Sequence, residues 1–143
     1  MFTRILVPID GSVEGYELVD RAIDLAVSFD AALYVAFIKD VSPGFTPGGI
    51  AHAPTATIPA DVDDEDDALD FVARSADKRG VSCRTSVRRG EQHMAILNAA
   101  GDAKADLIVL RSPRRTLWRR LPVTATDRVV RKASASVLTL DLS

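Results

Sequence analysis

Strand-like runs and helix-period runs alternate along this chain, and that alternation restricts the fold more than any other feature. Residues 2–9 (FTRILVPI), 31–38 (AALYVAFI), 81–88 (VSCRTSVR), 105–111 (ADLIVLR) and 136–142 (SVLTLDL) read as strands, being short, rich in branched residues or alternating apolar with polar. Between them lie helical stretches. Ser12 is placed to cap the first, where Leu18, Val19, Ala22, Ile23, Ala26 and Val27 keep a helical period to about Phe29. The run DVDDEDDALDFVARSADKRG begins acidic and ends basic before Gly80, matching the helix dipole at both ends. Residues 92–103 and 126–133 supply two more helices. Strands that alternate with helices pair in parallel through right-handed crossovers, which predicts a three-layer α/β sandwich with helices on both faces of a parallel sheet.

Such sheets bind ligands beyond the carboxyl ends of their strands, where the strand order reverses. The turn PIDGS after the first strand and the stretch RSPRRTLWRR after the fourth both open there if those strands are neighbours. Residues 39–60 carry Pro43, Gly44, Pro47, Gly48, Gly49, Pro54 and Pro59, too much punctuation for helix or ladder strand, so 41–60 is expected to be a mobile loop.

At 143 residues the chain suits one domain spanning 1–143, long enough to bury its own core. The single cysteine, Cys83, excludes an intramolecular disulfide and is expected to be a buried structural thiol in a reducing compartment. No apolar run reaches the length of a membrane span, and the N-terminus lacks a secretory pattern, so a cytoplasmic protein without membrane contact is expected. Charge is unevenly placed. Residues 1–70 hold 3 basic and 14 acidic side chains, and residues 71–143 hold 15 basic and 6 acidic, so the halves attract each other, within one chain or between chains. Seven carboxylates fall within 61–70, but consecutive acids on a helix diverge and the spaced, glycine-bearing pattern of a hard-cation loop is absent, so they read as a solvated helix start and no metal is expected.

Three segments, RILVPIDGS, ADLIVL and TDRVVRKASASVLTL, resemble the universal stress protein family, and the element order agrees over essentially the full length. The resemblance implies a five-stranded parallel sheet in the order 3-2-1-4-5 with a Rossmann-like, adenine nucleotide alpha hydrolase-like architecture. It also implies a homodimer formed through the last strand and a cytoplasmic stress role. Some members bind ATP through an aspartate after the first strand, backbone near the end of the second, and a GxxGx(9)G(S/T) loop after the fourth. Asp10 matches the aspartate, with Pro8 beside it, and Ile38 falls near the adenine-contact position. The loop departs from the pattern: Arg111 and Arg114 occupy the first two glycine positions, and Val123 stands nearest the third, before Thr124 at the Ser/Thr position. Arginine brings a Cβ that penalises positive φ by roughly 1–2 kcal/mol, and Pro113 removes a backbone donor, so a conventional ATP cradle is not expected.

The favoured reading is a non-enzymatic, dimeric stress-response module with an unknown protein partner and no obligatory cofactor, its residues 136–142 pairing antiparallel across a two-fold axis. The alternative is an ATP- or AMP-binding protein in which Asp10 and the loop arginines, Arg111 and Arg114 among them, replace the glycine cradle. A second alternative is a polyanion or nucleic-acid binder. Residues 111–132 hold eight basic side chains around Trp118, yet no nucleic-acid motif accompanies them. An enzyme is disfavoured because His52 and His93 stand far apart without metal-ligand spacing, both reading as surface residues, and no nucleophile motif is present.

Overall fold

The computed structural model describes residues 1–41, 63–112 and 124–142. Along them run β1 (Arg4–Ile9), α1 (Val13–Phe29), β2 (Ala32–Asp40), α2 (Asp63–Lys78), β3 (Cys83–Gly90), α3 (Gln92–Ala103), β4 (Leu107–Arg111), α4 (Ala125–Lys132) and β5 (Ser136–Leu140). The strands form one sheet in the order β3-β2-β1-β4-β5, every neighbouring pair parallel. The expected α/β sandwich and strand order are both present.

The two-residue period of a strand divides the core in two. Ile5, Val7 and Ile9 of β1 pack with Leu18, Val19 and Ile23 of α1 and with Leu69 and Val72 of α2. Leu6, between them, faces the other way and joins Ala95 and Ile96 of α3 and Val129 of α4. A strand covered on both faces has no polar side, which is why β1 and β4 are near-continuous apolar runs. β5 is an edge strand, with Leu138 and Leu140 on the first core and Val137 on the second. No helix of the described residues is long and apolar enough to cross a membrane.

β2 continues two residues past its sequence-predicted end. Its pairing with β3 runs through Lys39↔Arg89 and Asp40↔Gly90, and the Lys39 ammonium meets Glu65 of α2 at 2.6 Å, so cross-strand partners hold residues that lack an apolar pattern of their own. Cys83 corrects another expectation: it is half-buried instead of sealed in the core. Burial nonetheless pushes its thiol up to about 11, so it stays protonated at neutral pH. The segment 42–62, which contains most of the predicted mobile loop, lies outside the described residues.

At the amino ends of the strands, Asp106 clasps β1 to the approach of β4. Its carboxylate accepts the Thr3 N–H at 2.9 Å, the Arg4 N–H at 2.9 Å and the Thr3 hydroxyl at 3.1 Å. Desolvation on its own would raise the Asp106 pKa; the hydrogen bonds outweigh it and hold the carboxyl below its ordinary value. These bonds are exposed to solvent, which screens them, so Asp106→Ala is expected to destabilise the fold by no more than about 1 kcal/mol at neutral pH. Because the folded pKa is depressed, that contribution is full above the unfolded carboxyl pKa and is lost as pH falls through the folded one. Urea titrations of both proteins at neutral and acid pH check this, and a gap that stays constant on acidification contradicts it.

Candidate functional site

The middle of the sheet opens at its carboxyl end. β1 pairs with β2 from Arg4↔Ala32 to Ile9↔Phe37, but with β4 only at Ile5↔Leu107 and Leu6↔Ile108. Pro8, which carries no N–H for a ladder, stands where the two strands have parted. The chain then turns through Gly11 at φ +89°, a conformation that favours glycine, and a Cβ there would crowd Phe37 Cζ at 3.2 Å. Asp10 Oδ1 accepts the Ser12 N–H at 3.0 Å, fixing this turn. Ser12 is the N-cap of α1 by backbone geometry, but its side chain makes no capping bond; the Asp10 carboxylate instead accepts the cap residue's own N–H. Gly15 is buried where α1 meets the end of β1, with Ile9 Cβ 3.4 Å from where its own Cβ would lie, an ordinary contact distance.

In the gap lies a cavity of ≈ 340 Å³ whose walls include Pro8, Asp10, Ile38, Arg111 and Thr124. Five of the six residues picked from the sequence thus converge at one switch point, from β1, β2, β4 and the start of α4. The sixth, Arg114, lies outside the described residues, as do Val123, Trp118 and His52. Leu18, Ile96 and Leu110 supply apolar wall, and Gln92 supplies an amide. A wider, more polar hollow of ≈ 640 Å³ adjoins it, sharing Glu14, Arg111, Ser112 and Thr126 and extending to Arg131 and Asp141.

Two polar arrangements line the opening and a third lies behind them. Arg111 Nη1 stands 3.7 Å from Glu14 Oε1, both side chains partly exposed. Thr124 forms a capping box: its hydroxyl accepts the Asp127 N–H at 3.1 Å and the Asp127 carboxylate accepts the Thr124 N–H at 3.0 Å. The residue at the family's Ser/Thr position is thereby tied to the start of α4. Behind it, Glu91 Oε1 lies 3.0 Å from His93 Nδ1 and 3.2 Å from Arg128 Nη1, linking α3 to α4.

His93 overturns its sequence reading. It is buried, 5% exposed, instead of on the surface, because Glu91 offers its imidazole a partner and its face of α3 is the one that carries Ile96 and Ala100. Its spacing of three from Ile96 was the available signal. Gln92 and Glu14 were missed as cavity residues, and nothing in their sequence neighbourhood distinguishes them from solvated helix starts. Among the described residues, no cluster of three or more His, Cys, Asp or Glu side chains is arranged to hold a metal ion.

Comparison with known proteins agrees with this fold. The model of the universal stress protein family matches residues 1–140. A universal stress protein of Methanocaldococcus jannaschii is 33% identical over 140 residues, covering 96% of this chain and 81% of the relative. Among solved structures, the universal stress protein UspA of Lactobacillus plantarum superposes with a TM-score of 0.74 at 24% identity, covering 96% of this chain and 97% of the other. A universal stress protein in complex with cAMP superposes at 0.72 and 23% identity, covering 99% and 98%.

Proposed function

The chain belongs to the universal stress protein family, and we propose that it acts as a non-enzymatic regulatory module whose cavity takes a small adenine nucleotide, a nucleoside monophosphate, instead of conventionally bound ATP. The observation that carries the reading is the single cavity gathering Pro8, Asp10, Ile38, Arg111 and Thr124. Its ≈ 340 Å³ lies near the lower end of the roughly 300–1,000 Å³ of small-molecule sites. Arg111 in place of the first loop glycine favours side-chain over backbone capture of phosphate, and a relative of this fold is known in complex with cAMP. The described histidine, His93, belongs to a helix-linking cluster and not to the cavity wall, which supports binding without chemistry. The exposed edge of β5 supports the dimeric part of the reading, with residues 136–142 pairing antiparallel to those of a second copy.

Calorimetric titration of nucleotide-free protein with AMP tests the reading. Binding should appear and weaken at least about tenfold in Asp10→Ala, which removes the carboxylate that shapes the first turn. Light scattering on the same sample should give twice the 15.4 kDa chain mass. An absence of AMP binding, or unchanged binding in the variant, defeats the nucleotide reading; a monomeric mass defeats the dimer.

A further inference from the structure

We infer that pairing of β5 with a second copy of the chain and occupation of the cavity are linked, each strengthening the other. The inference rests on the nucleotide and dimer readings and joins them into one regulated site. β5 is bonded to the sheet on one side only. Ser136 donates its N–H to the Asp106 carbonyl, and the Leu140 carbonyl accepts the Ser112 N–H at 2.8 Å, so the even-numbered residues of β5 turn their backbone groups to β4. The two-residue period leaves the N–H and C=O of Val137 and Thr139 facing outward. The opposite edge of the sheet, β3, exposes Arg84 and Arg89, whereas Ser136–Leu140 holds no charged side chain. Like charges guard β3 against a copy of itself and nothing comparable guards β5, so a second β5 is the occupant this edge fits.

That edge ends at the site. Arg111 and Leu140 form the last rung of the β4–β5 ladder, and Arg111 and Ser112 line both the cavity and the wider hollow beside it. The Arg111 carbonyl, on the side of β4 from which β1 has parted, accepts the Thr126 hydroxyl at 3.3 Å. Arg111 is the one cation of the cavity wall among the described residues, and its backbone is thus held by α4 on one side and by the end of β5 on the other. A strand bonded along one edge opens locally more readily than one bonded along both. Pairing on the outer side of β5 steadies Leu140, Ser112 and Arg111, which lowers the ordering cost of taking up a monophosphate. Thermodynamic reciprocity supplies the converse: a monophosphate that fixes Arg111 and Ser112 strengthens the pairing of β5.

The native chain is titrated with AMP across a dilution series that spans its dimer dissociation constant, and that constant is measured by ultracentrifugation with and without saturating AMP. AMP affinity should fall at least about fivefold from dimer to monomer, and AMP should tighten the dimer by the square of that factor, one factor for each site. Thr139→Pro removes one outward N–H and spares the bonds of β5 to β4. It should be monomeric, bind AMP as weakly as the diluted native chain, and exchange the Ser112 amide faster than the dimer does. Equal AMP affinity in monomer and dimer, or a dimer constant that AMP does not move, overturns the linkage and leaves both earlier readings standing; the native series decides this whether or not the proline variant folds. A chain that dimerises without binding AMP defeats the nucleotide reading and the linkage with it, and a chain that binds AMP as a monomer at every concentration defeats the dimer and the linkage.

Discussion

Replacing Val129 with aspartate is expected to abolish nucleotide binding while leaving most of the chain folded. α4 has eight residues, of which Val129 alone is buried, 0% exposed, against Ala95, Ile96 and Leu110. A carboxylate without a partner in that place destabilises by about 3–5 kcal/mol. The rest of α4 is held by polar ties that water can replace: Arg128 to Glu91, and the Thr126 hydroxyl donating to the Arg111 carbonyl at 3.3 Å. The response with the lowest free energy is for α4 to leave α3, taking Thr124 and Thr126 out of the cavity wall. Hydrogen exchange should show protection lost over 124–133 and kept in β1, β2 and α1, with no heat on titration with AMP. Val129→Ala, which leaves a small void and no charge, should cost about 2 kcal/mol and keep binding. AMP binding by the aspartate variant within threefold of the native chain contradicts the role given to α4.

Ile108→Ala is expected to remove about 3–4 kcal/mol of global stability with little change in ligand affinity. Ile108 is 0% exposed, pairs with Leu6 on one side and Val137 on the other, and lies in the core between the sheet and α3–α4. Losing its branched side chain removes transfer energy and leaves a void that strands on both sides prevent from closing. Ile108 does not line the cavity, so the folded fraction should bind as before. A urea midpoint shift at constant slope reads the effect; a loss below 1 kcal/mol shows that β4 is not packed as described. For a domain of ordinary marginal stability, this is a large fraction of the total.

Most of the architecture was legible because local pattern and tertiary environment agree. Apolar runs at 2–9 and 105–111 became the central strands, where burial on both faces demands such runs. Disagreement arose where a partner distant in sequence decided the outcome. Lys39 and Asp40 are strand because Arg89 and Gly90 lie alongside, and His93 is buried because Glu91 accepts it. The site was legible to the extent that it depends on backbone: Pro8, Asp10 and Ile38 mark strand ends, and strand ends fix the switch point. Gln92 and Glu14 escaped because a helix's first turn looks the same in sequence whether it faces water or a cavity. Arg111 was anticipated as a residue but not in its pairing with Glu14, since the α1–β4 contact exists only after folding.

The brief union of β1 with β4 gives the sheet a spine. Long ladders bind β3 to β2 and β2 to β1 on one side and β4 to β5 on the other, while Ile5↔Leu107 and Leu6↔Ile108 join the two leaves. Asp106 stitches the leaves at the amino end, and the cavity occupies the opposite end. A ligand of the proposed kind, lodged between Asp10 on one leaf and Arg111 on the other, would bridge the spine at the end that the ladder leaves unjoined. The expected consequence is a stiffer union between the leaf that ends in β3 and the leaf that ends in the open edge of β5.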